Sequence, residues 1–153
     1  MQIFNTVGYM KSAKGLPVIL TALIFFLTGC AGNDLAFEEI KDGLCSQKQE
    51  QLIEKHISGQ IDALAKKDWA SAYSFASKDF QAAVAIDQFT FIIGAQYAML
   101  VENQGYEFDS CTIANSAIKQ EVSVTSGEQV FNLTYRLSVT DNALGVESAE
   151  LDK

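Results

Sequence analysis

The hydrophobic pattern of this chain changes period at Gly105, and that change constrains the fold more than any other feature. Before it, apolar residues recur at three- and four-residue spacing, the mark of helices with one buried face. Leu52, Ile53, Ile57, Gln60, Ile61 and Leu64 form the first stripe, opened by Ser46 and Gln49 in a capping-box arrangement and running to Lys66. Gly59 lies inside this helix at a cost of about 1 kcal/mol relative to Ala, so close packing of another element is expected there. Asp68 caps a second helix over Trp69–Ala76 that places Ala72, Tyr73, Phe75 and Ala76 for burial. A brief extended piece is expected over Phe80–Ala85. Asp87 then caps a third helix, with Phe89, Ile93, Tyr97 and Leu100 on one stripe, ending near Gly105.

Beyond Gly105 apolar and polar residues alternate. Phe131, Leu133, Tyr135, Leu137 and Val139 interleave with Asn132, Thr134, Arg136 and Ser138, a strand that pairs with Val122–Val124 across a turn at Ser126-Gly127. Tyr106–Ile113 makes an earlier strand and Leu144–Leu151 a last one. Helices followed by an antiparallel meander define an α+β plan, with N-terminal helices packed on one face of a curved antiparallel sheet.

Upstream of the folding part, Leu16–Leu27 is almost wholly apolar and follows Lys11 and Lys14, as in an export signal. The run is shorter than the roughly 20 apolar residues a membrane span needs, and it carries Pro17. Met1–Tyr9 holds no charge, whereas Met10-Lys11-Ser12-Ala13-Lys14 is an ordinary signal start, so Met10 is the expected true start. The run ends in Leu27-Thr28-Gly29-Cys30, which resembles the lipobox of bacterial lipoprotein precursors. That resemblance implies a signal peptide over 1–29, cleavage before Cys30, a diacylglycerol and palmitate-bearing anchor on the Cys30 thiol, a lipidated tether over 30–45 and a domain over 46–153. The competing reading is an uncleaved anchor followed by a chance thiol. Two or more acyl chains give stable membrane residence where one is marginal. Ala31-Gly32 stand where such proteins often carry an aspartate for inner-membrane retention, which favours the periplasmic face of an outer membrane, or the outer face of the plasma membrane in a one-membrane cell.

From Cys30 onward nine Lys or Arg face nineteen Asp or Glu, a net charge of −10. That sign excludes a phosphate-backbone partner such as nucleic acid and gives no attraction to anionic headgroups. With Cys30 committed to lipid, Cys45 and Cys111 form an even remainder in an oxidising compartment, which points to one disulfide worth about 4 kcal/mol in the chain-entropy model. The other reading is two buried free cysteines. Cys111 shares strand parity with Glu107 and Asp109, an outward face, although Ile113 lies on the same parity.

His56 is the sole histidine and has no evident partner, so a place at the edge of a buried face is expected rather than a catalytic one. No His, Cys and carboxylate run has metal-ligand spacing, no Gly-rich phosphate loop is present, and neither a nucleophile elbow nor a zinc-protease helix appears. No metal or cofactor is expected.

The run Ile57, Gln60-Ile61, Leu64, Asp68, Ala72-Tyr73, Phe75-Ala76-Ser77, followed by Phe89, Tyr97, Gly105-Tyr106 and the meander, resembles the nuclear-transport-factor-two-like fold over Gln47–Leu151. The resemblance implies a cone with a pocket between the helices and a concave sheet. Tyr73, Phe75, Tyr97 and Tyr135 are the expected lining, with Tyr106 a further tyrosine and Asp62, Asp68 and Asp79 the nearest carboxylates. Some members of that superfamily are enzymes and many only bind. The expectation here is a non-catalytic module taking a small apolar ligand or an envelope protein. An isomerase- or dehydratase-like enzyme with a small apolar substrate is the alternative, and a structural component forming a homodimer through its sheet face is a third.

Overall fold

The computed structural model describes Phe37 and residues 40–152; the signal stretch, Cys30 and most of the tether lie outside the described residues. Helix α1, Gln47–Ala65, starts where Ser46 sets it: the Ser46 hydroxyl accepts from the Gln49 N–H, and Gln49 Oε1 accepts from the Ser46 N–H at 2.8 Å. These reciprocal bonds satisfy two donors that a helix start leaves open, a contribution of about 1 kcal/mol. Ile53, Ile57, Ile61 and Leu64 on its inner stripe are fully buried. Helix α2, Trp69–Ser74, begins at Asp68, whose carboxylate accepts from the Ser71 N–H at 3.1 Å; the Ser71 side chain, with this N–H second, holds the Asp68 carboxyl below the usual carboxylate range.

The expected continuation to Ala76 does not occur. Phe75, Ala76 and Ser77 leave the helix and run beside the sheet, with the Val146 N–H donating to Phe75 O and the Ser77 N–H to Val146 O. The extended piece expected over Phe80–Ala85 is mostly helix α3, Lys78–Ala83, capped by Ser77; only Val84 and Ala85 are extended. Six residues have little intrinsic helicity. Side-chain bonds to the preceding segment hold them instead: the Tyr73 hydroxyl donates to Gln81 O and Val84 O, and Gln81 Nε2 donates back to Tyr73 O and Ala76 O. Helix α4, Ile86–Gln96, is entered from Ala85 without a side-chain cap, and Asp87, expected as the cap, sits in its first turn. The helix stops at Tyr97, whose hydroxyl donates to Ala149 O at 2.6 Å, and a four-residue helix α5, Ala98–Val101, carries Leu100 into the core.

Five antiparallel strands form one sheet in the order β1 Gly43–Leu44, which precedes α1, then β2 Gly105–Ala114, β3 Ala117–Ser126, β4 Gln129–Thr140 and β5 Ala143–Leu151. The α+β plan holds, with the helices on one face. Hairpin turns at Asn115-Ser116 and Asp141-Asn142 place both central residues at positive φ, a pattern whose twist suits the flanking strands. On β3 and β4 the inward residues are Ile118, Gln120, Val122, Val124, Leu133, Tyr135 and Leu137, all fully or almost fully buried. The outward face is polar: Ser110 donates to Glu121, Ser123 to Asp109, and Arg136 pairs with Glu147.

Two register shifts bend this sheet. One falls in β2 between Phe108 and Cys111, the other in β5 opposite Arg136 and Leu137. The first corrects the expected outward face of Cys111, because an extra residue at Asp109-Ser110 reverses the parity of everything after it. Tyr106 and Phe108 face inward before the shift, Cys111 and Ile113 after it, and Cys111 is buried. Gln120 Nε2 donates to the carbonyls of Asp109 and Ser110 where the ladder is interrupted.

Cys45 and Cys111 are joined by a disulfide across 66 residues, with Cα atoms 5.4 Å apart. The segment ahead of α1 is joined to the domain: Gly43–Leu44 pairs with Ile113 and Thr112, the Asn115 N–H donates to Asp42, and Phe37 is buried. Leu35-Ala36-Phe37 and Ile40 are too few and too scattered among acidic residues to set a period, so this docking is invisible to pattern reading. Among the described residues no helix is long and apolar enough to cross a membrane.

Candidate functional site

A cavity of about 150 Å³ lies between the inner face of the sheet and the helices. α1 contributes Gln60 and Leu64, α4 contributes Phe89 and Ile93, α5 contributes Leu100, and the sheet contributes Tyr135 and Ala149. Helical and strand periodicity put these apolar side chains there, since each sits on the inward stripe of its own element.

Polar groups at this wall are few. The Tyr97 hydroxyl is committed to Ala149 O, Gln60 Nε2 to Ala72 O at 3.3 Å, and Glu147 to Arg136 at 3.0 Å. Tyr135 differs. Its side chain is wholly buried on β4, in register between Gln120 on β3 and Ala149 on β5, and its hydroxyl has no hydrogen-bond partner among the described residues. Burial raises the Tyr135 pKa beyond the ordinary phenol range, with the Tyr97 and Tyr106 phenols adding to the rise. The group is therefore a neutral O–H at any physiological pH. A buried hydroxyl left without a partner is unfavourable by about 1–3 kcal/mol, so its position calls for a reason.

Of the four residues expected on the wall, Tyr97 and Tyr135 line the cavity and Tyr73 and Phe75 do not. Tyr73 is turned to the end of α3 by its two bonds to carbonyls. Phe75 is drawn the other way, its ring against Gly59 of α1, where a Cβ would lie 2.5 Å from the ring. Tyr106 donates to Asp62 at 2.8 Å, Asp68 is a helix cap, and Asp79 lies in the first turn of α3. The sequence reading missed Gln60, Leu64, Phe80 and Ile92 as lining. A buried Gln on an otherwise apolar stripe was the one available signal.

Phe75 belongs instead to a second, more open groove of about 400 Å³, lined by Leu52, His56, Gly59, Phe75 and Leu144, into which Phe37 of the tether packs. His56 Nε2 lies 2.9 Å from Phe75 O and therefore donates to it, and the two rings meet edge to face at 5.1 Å. Desolvation lowers the His56 pKa, a shift the bond to Phe75 O only partly opposes. No group of three metal-ligating side chains occurs among the described residues.

A family model described as a domain of unknown function, DUF4864, matches residues 46–150. No curated protein and no solved structure matches the chain.

Proposed function

The chain belongs to the DUF4864 family, a domain of unknown function, and from its cavity we propose that it is a lipid-anchored envelope protein whose domain binds a small apolar ligand without transforming it. The observation that carries this is the cavity of about 150 Å³, walled mainly by apolar side chains, among them Leu64, Phe89, Ile93, Leu100 and Ala149. Cavities that are concave, mostly apolar and furnished with few polar groups are the usual form of a small-molecule site. The titratable groups at its wall favour binding over catalysis: Glu147 is paired with Arg136, and the Tyr135 phenol titrates far above neutrality.

The anchor rests on Leu27-Thr28-Gly29-Cys30 and the short apolar run before it. The disulfide fits an oxidising compartment, where such bonds persist. The nuclear-transport-factor-two-like resemblance agrees with helices enclosing a cavity on the inner face of a bent sheet.

The test uses the full chain expressed in a bacterial host with labelled palmitate. Wild type is expected in the membrane fraction with label, and Cys30→Ser is expected to lose the label; label retained in that variant sinks the anchor. The extracted protein is then titrated with small apolar compounds by calorimetry, beside Ala149→Phe, which fills the cavity. Saturable binding confined to wild type supports the module. Turnover of small carbonyl compounds that vanishes in Tyr135→Phe promotes the isomerase or dehydratase instead.

A further inference from the structure

Resting on the lipid anchor proposed above, we infer that the outward face of α4 around Phe91 docks on the bilayer that holds the anchor, at the boundary between headgroups and acyl chains. This helix is apolar on both sides. Phe89 and Ile93 are buried in the core, as the inner stripe of an amphipathic helix is. The outward stripe of such a helix ordinarily carries charged and polar residues. Here Phe91 stands on it 73% exposed, and Gly94 and Ala95, one turn further on, are exposed as well. Ahead of them Ala82, Ala83, Ala85 and Ile86 are also open to solvent. From residue 80 to residue 101 the only charged side chain is Asp87.

Charge, tether length and the cavity select the bilayer as the occupant. From Cys30 onward the chain carries a net charge of −10, so anionic headgroups repel most of its surface, and a domain tied to them turns its least charged face toward them. An exposed aromatic ring on that face has the chemistry that the headgroup boundary accepts. The tether makes a small patch sufficient. Cys30 stands ten residues before Ile40, a reach of at most about 35 Å at full extension. Sites linked so closely meet at an effective concentration in the mM range, so a face of only mM affinity when unlinked stays docked for much of the time. The cavity shares this face. It is half open, and the lining residues that keep some exposure are Phe80, Ile92 and Tyr97 on the helical side and Glu147, Ser148 and Ala149 on β5. Ile92 follows Phe91 directly, so the docked face runs on into the rim of the cavity. An apolar ligand then enters from lipid, where such a molecule is concentrated.

The test places a tryptophan on each face of the anchored protein. Full chain purified from a bacterial host is reconstituted into phosphatidylcholine vesicles whose acyl chains carry bromine close to the headgroups, and into unbrominated ones. Bromine quenches tryptophan only at contact range, and interfacial helices lie about 5–10 Å into this zone. Wild type, with Trp69 as its sole tryptophan, gives the background to subtract. The reporters are Phe91→Trp and Val130→Trp, both at exposed positions, the second on β4 of the sheet. Quenching at 91 is expected to exceed that at 130 by about threefold or more, and Ala95→Glu added to the Phe91→Trp chain is expected to remove most of it. Quenching no greater at 91 than at 130, or undiminished by Ala95→Glu, overturns the inference and leaves the anchor standing. Acrylamide in the water phase then says what covers the face: a reporter at 91 that acrylamide reaches is in water, and one shielded from both quenchers is held by a second copy or another protein. Failure of wild type to float with the vesicles on a density gradient removes the anchor, and this inference with it.

Discussion

One residue step separates a close-packed junction in the domain from its cavity, and it does so in three elements at once. Gly59 meets Phe75, and Gly145 meets Ser77, along the segment that leaves α2 between α1 and β5. There a Cβ on Gly59 would lie 2.5 Å from the Phe75 ring, and one on Gly145 would lie 2.5 Å from Ser77 Cα. Their chain neighbours Gln60, Ala76 and Val146 line the cavity. The junction consists of backbone pressed against backbone and ring, tied by the bonds between Val146 and the Phe75–Ser77 segment. The cavity retains about 150 Å³, and the buried hydroxyl of Tyr135 behind its wall has no partner among the described residues. The same packing that brings Phe75 down onto Gly59 takes its ring out of the cavity, so the full region and the roomy one come from a single choice of direction for that side chain.

The difference predicts opposite answers to the same change. Gly145→Ala places a methyl against main chain that cannot turn aside, and is expected to destabilise by about 3 kcal/mol in urea unfolding, at the upper end of overpacking costs. A cost under about 1 kcal/mol in that experiment breaks the comparison, because it means the segment can move away from β5. Gly59→Ala meets only the far end of a ring. The gain of about 1 kcal/mol in helix propensity offsets part of the clash, so a net loss of about 1 kcal/mol is expected. In a Phe75→Leu background the sign should reverse to a gain of about 1 kcal/mol, and a double-mutant cycle reads the difference directly. An unchanged cost in both backgrounds points to an obstacle other than Phe75.

Pattern reading reached the two sides of this comparison unequally. The helical stripe of α1, its Ser46–Gln49 cap and the alternation of β4 are local and one-dimensional, and the structure has them where periodicity puts them. Gly59 was legible as a close-packing site because a helix interior disfavours glycine. The partner was not legible, since Phe75 arrives by leaving α2 early to pair with β5, a contact between residues far apart in sequence. Helix α3 was misread as extended for a related reason: its support comes from Tyr73 and Gln81 bonds to carbonyls, not from its own composition. Cys111 was placed outward because a bulge carries no sequence mark except a parity conflict, and Ile113 showed that conflict. At the cavity, Tyr97 and Tyr135 were expected and Gln60 was not. Tertiary direction decided each case that periodicity left open.

On the cavity side the expected effects are smaller and of the other sign. Tyr135→Phe removes an unmatched buried hydroxyl and nothing else, so a gain of about 1 kcal/mol is expected where the same substitution at a hydrogen-bonded tyrosine loses about that much. Tyr97→Phe, which gives up the bond to Ala149 O, is the internal control and should be destabilising. Ala149→Leu adds volume next to available space and is expected to change stability by less than about 1 kcal/mol, in contrast to Gly145→Ala four residues earlier on the same strand. A loss in Tyr135→Phe equal to that in Tyr97→Phe shows the hydroxyl to be engaged and erases the distinction between the regions.

The smallest expected effect is a difference in pH response, because each region carries one perturbed group with its own window. His56 lies at the junction side, its Nε2 bonded to Phe75 O, and burial lowers its pKa below the ordinary value of 6.5. A lowered histidine binds fewer protons when folded than when unfolded, so stability rises with pH across the interval between the two pKa values. Its contribution is full above about pH 6.5 and is lost as pH falls from there through the lowered folded value. Tyr135 on the cavity side has a raised pKa and keeps its proton throughout that interval, so the cavity has no response there. Thermal unfolding followed from pH 7.5 down to pH 5 should therefore show a decline in wild type that is shallower in His56→Gln, whose amide keeps a donor for Phe75 O. Tyr135→Phe should retain the full wild-type decline. Parallel curves for wild type and His56→Gln place the acid sensitivity elsewhere, and a flattened curve for Tyr135→Phe shows the two regions to be coupled across the single residue step that divides them.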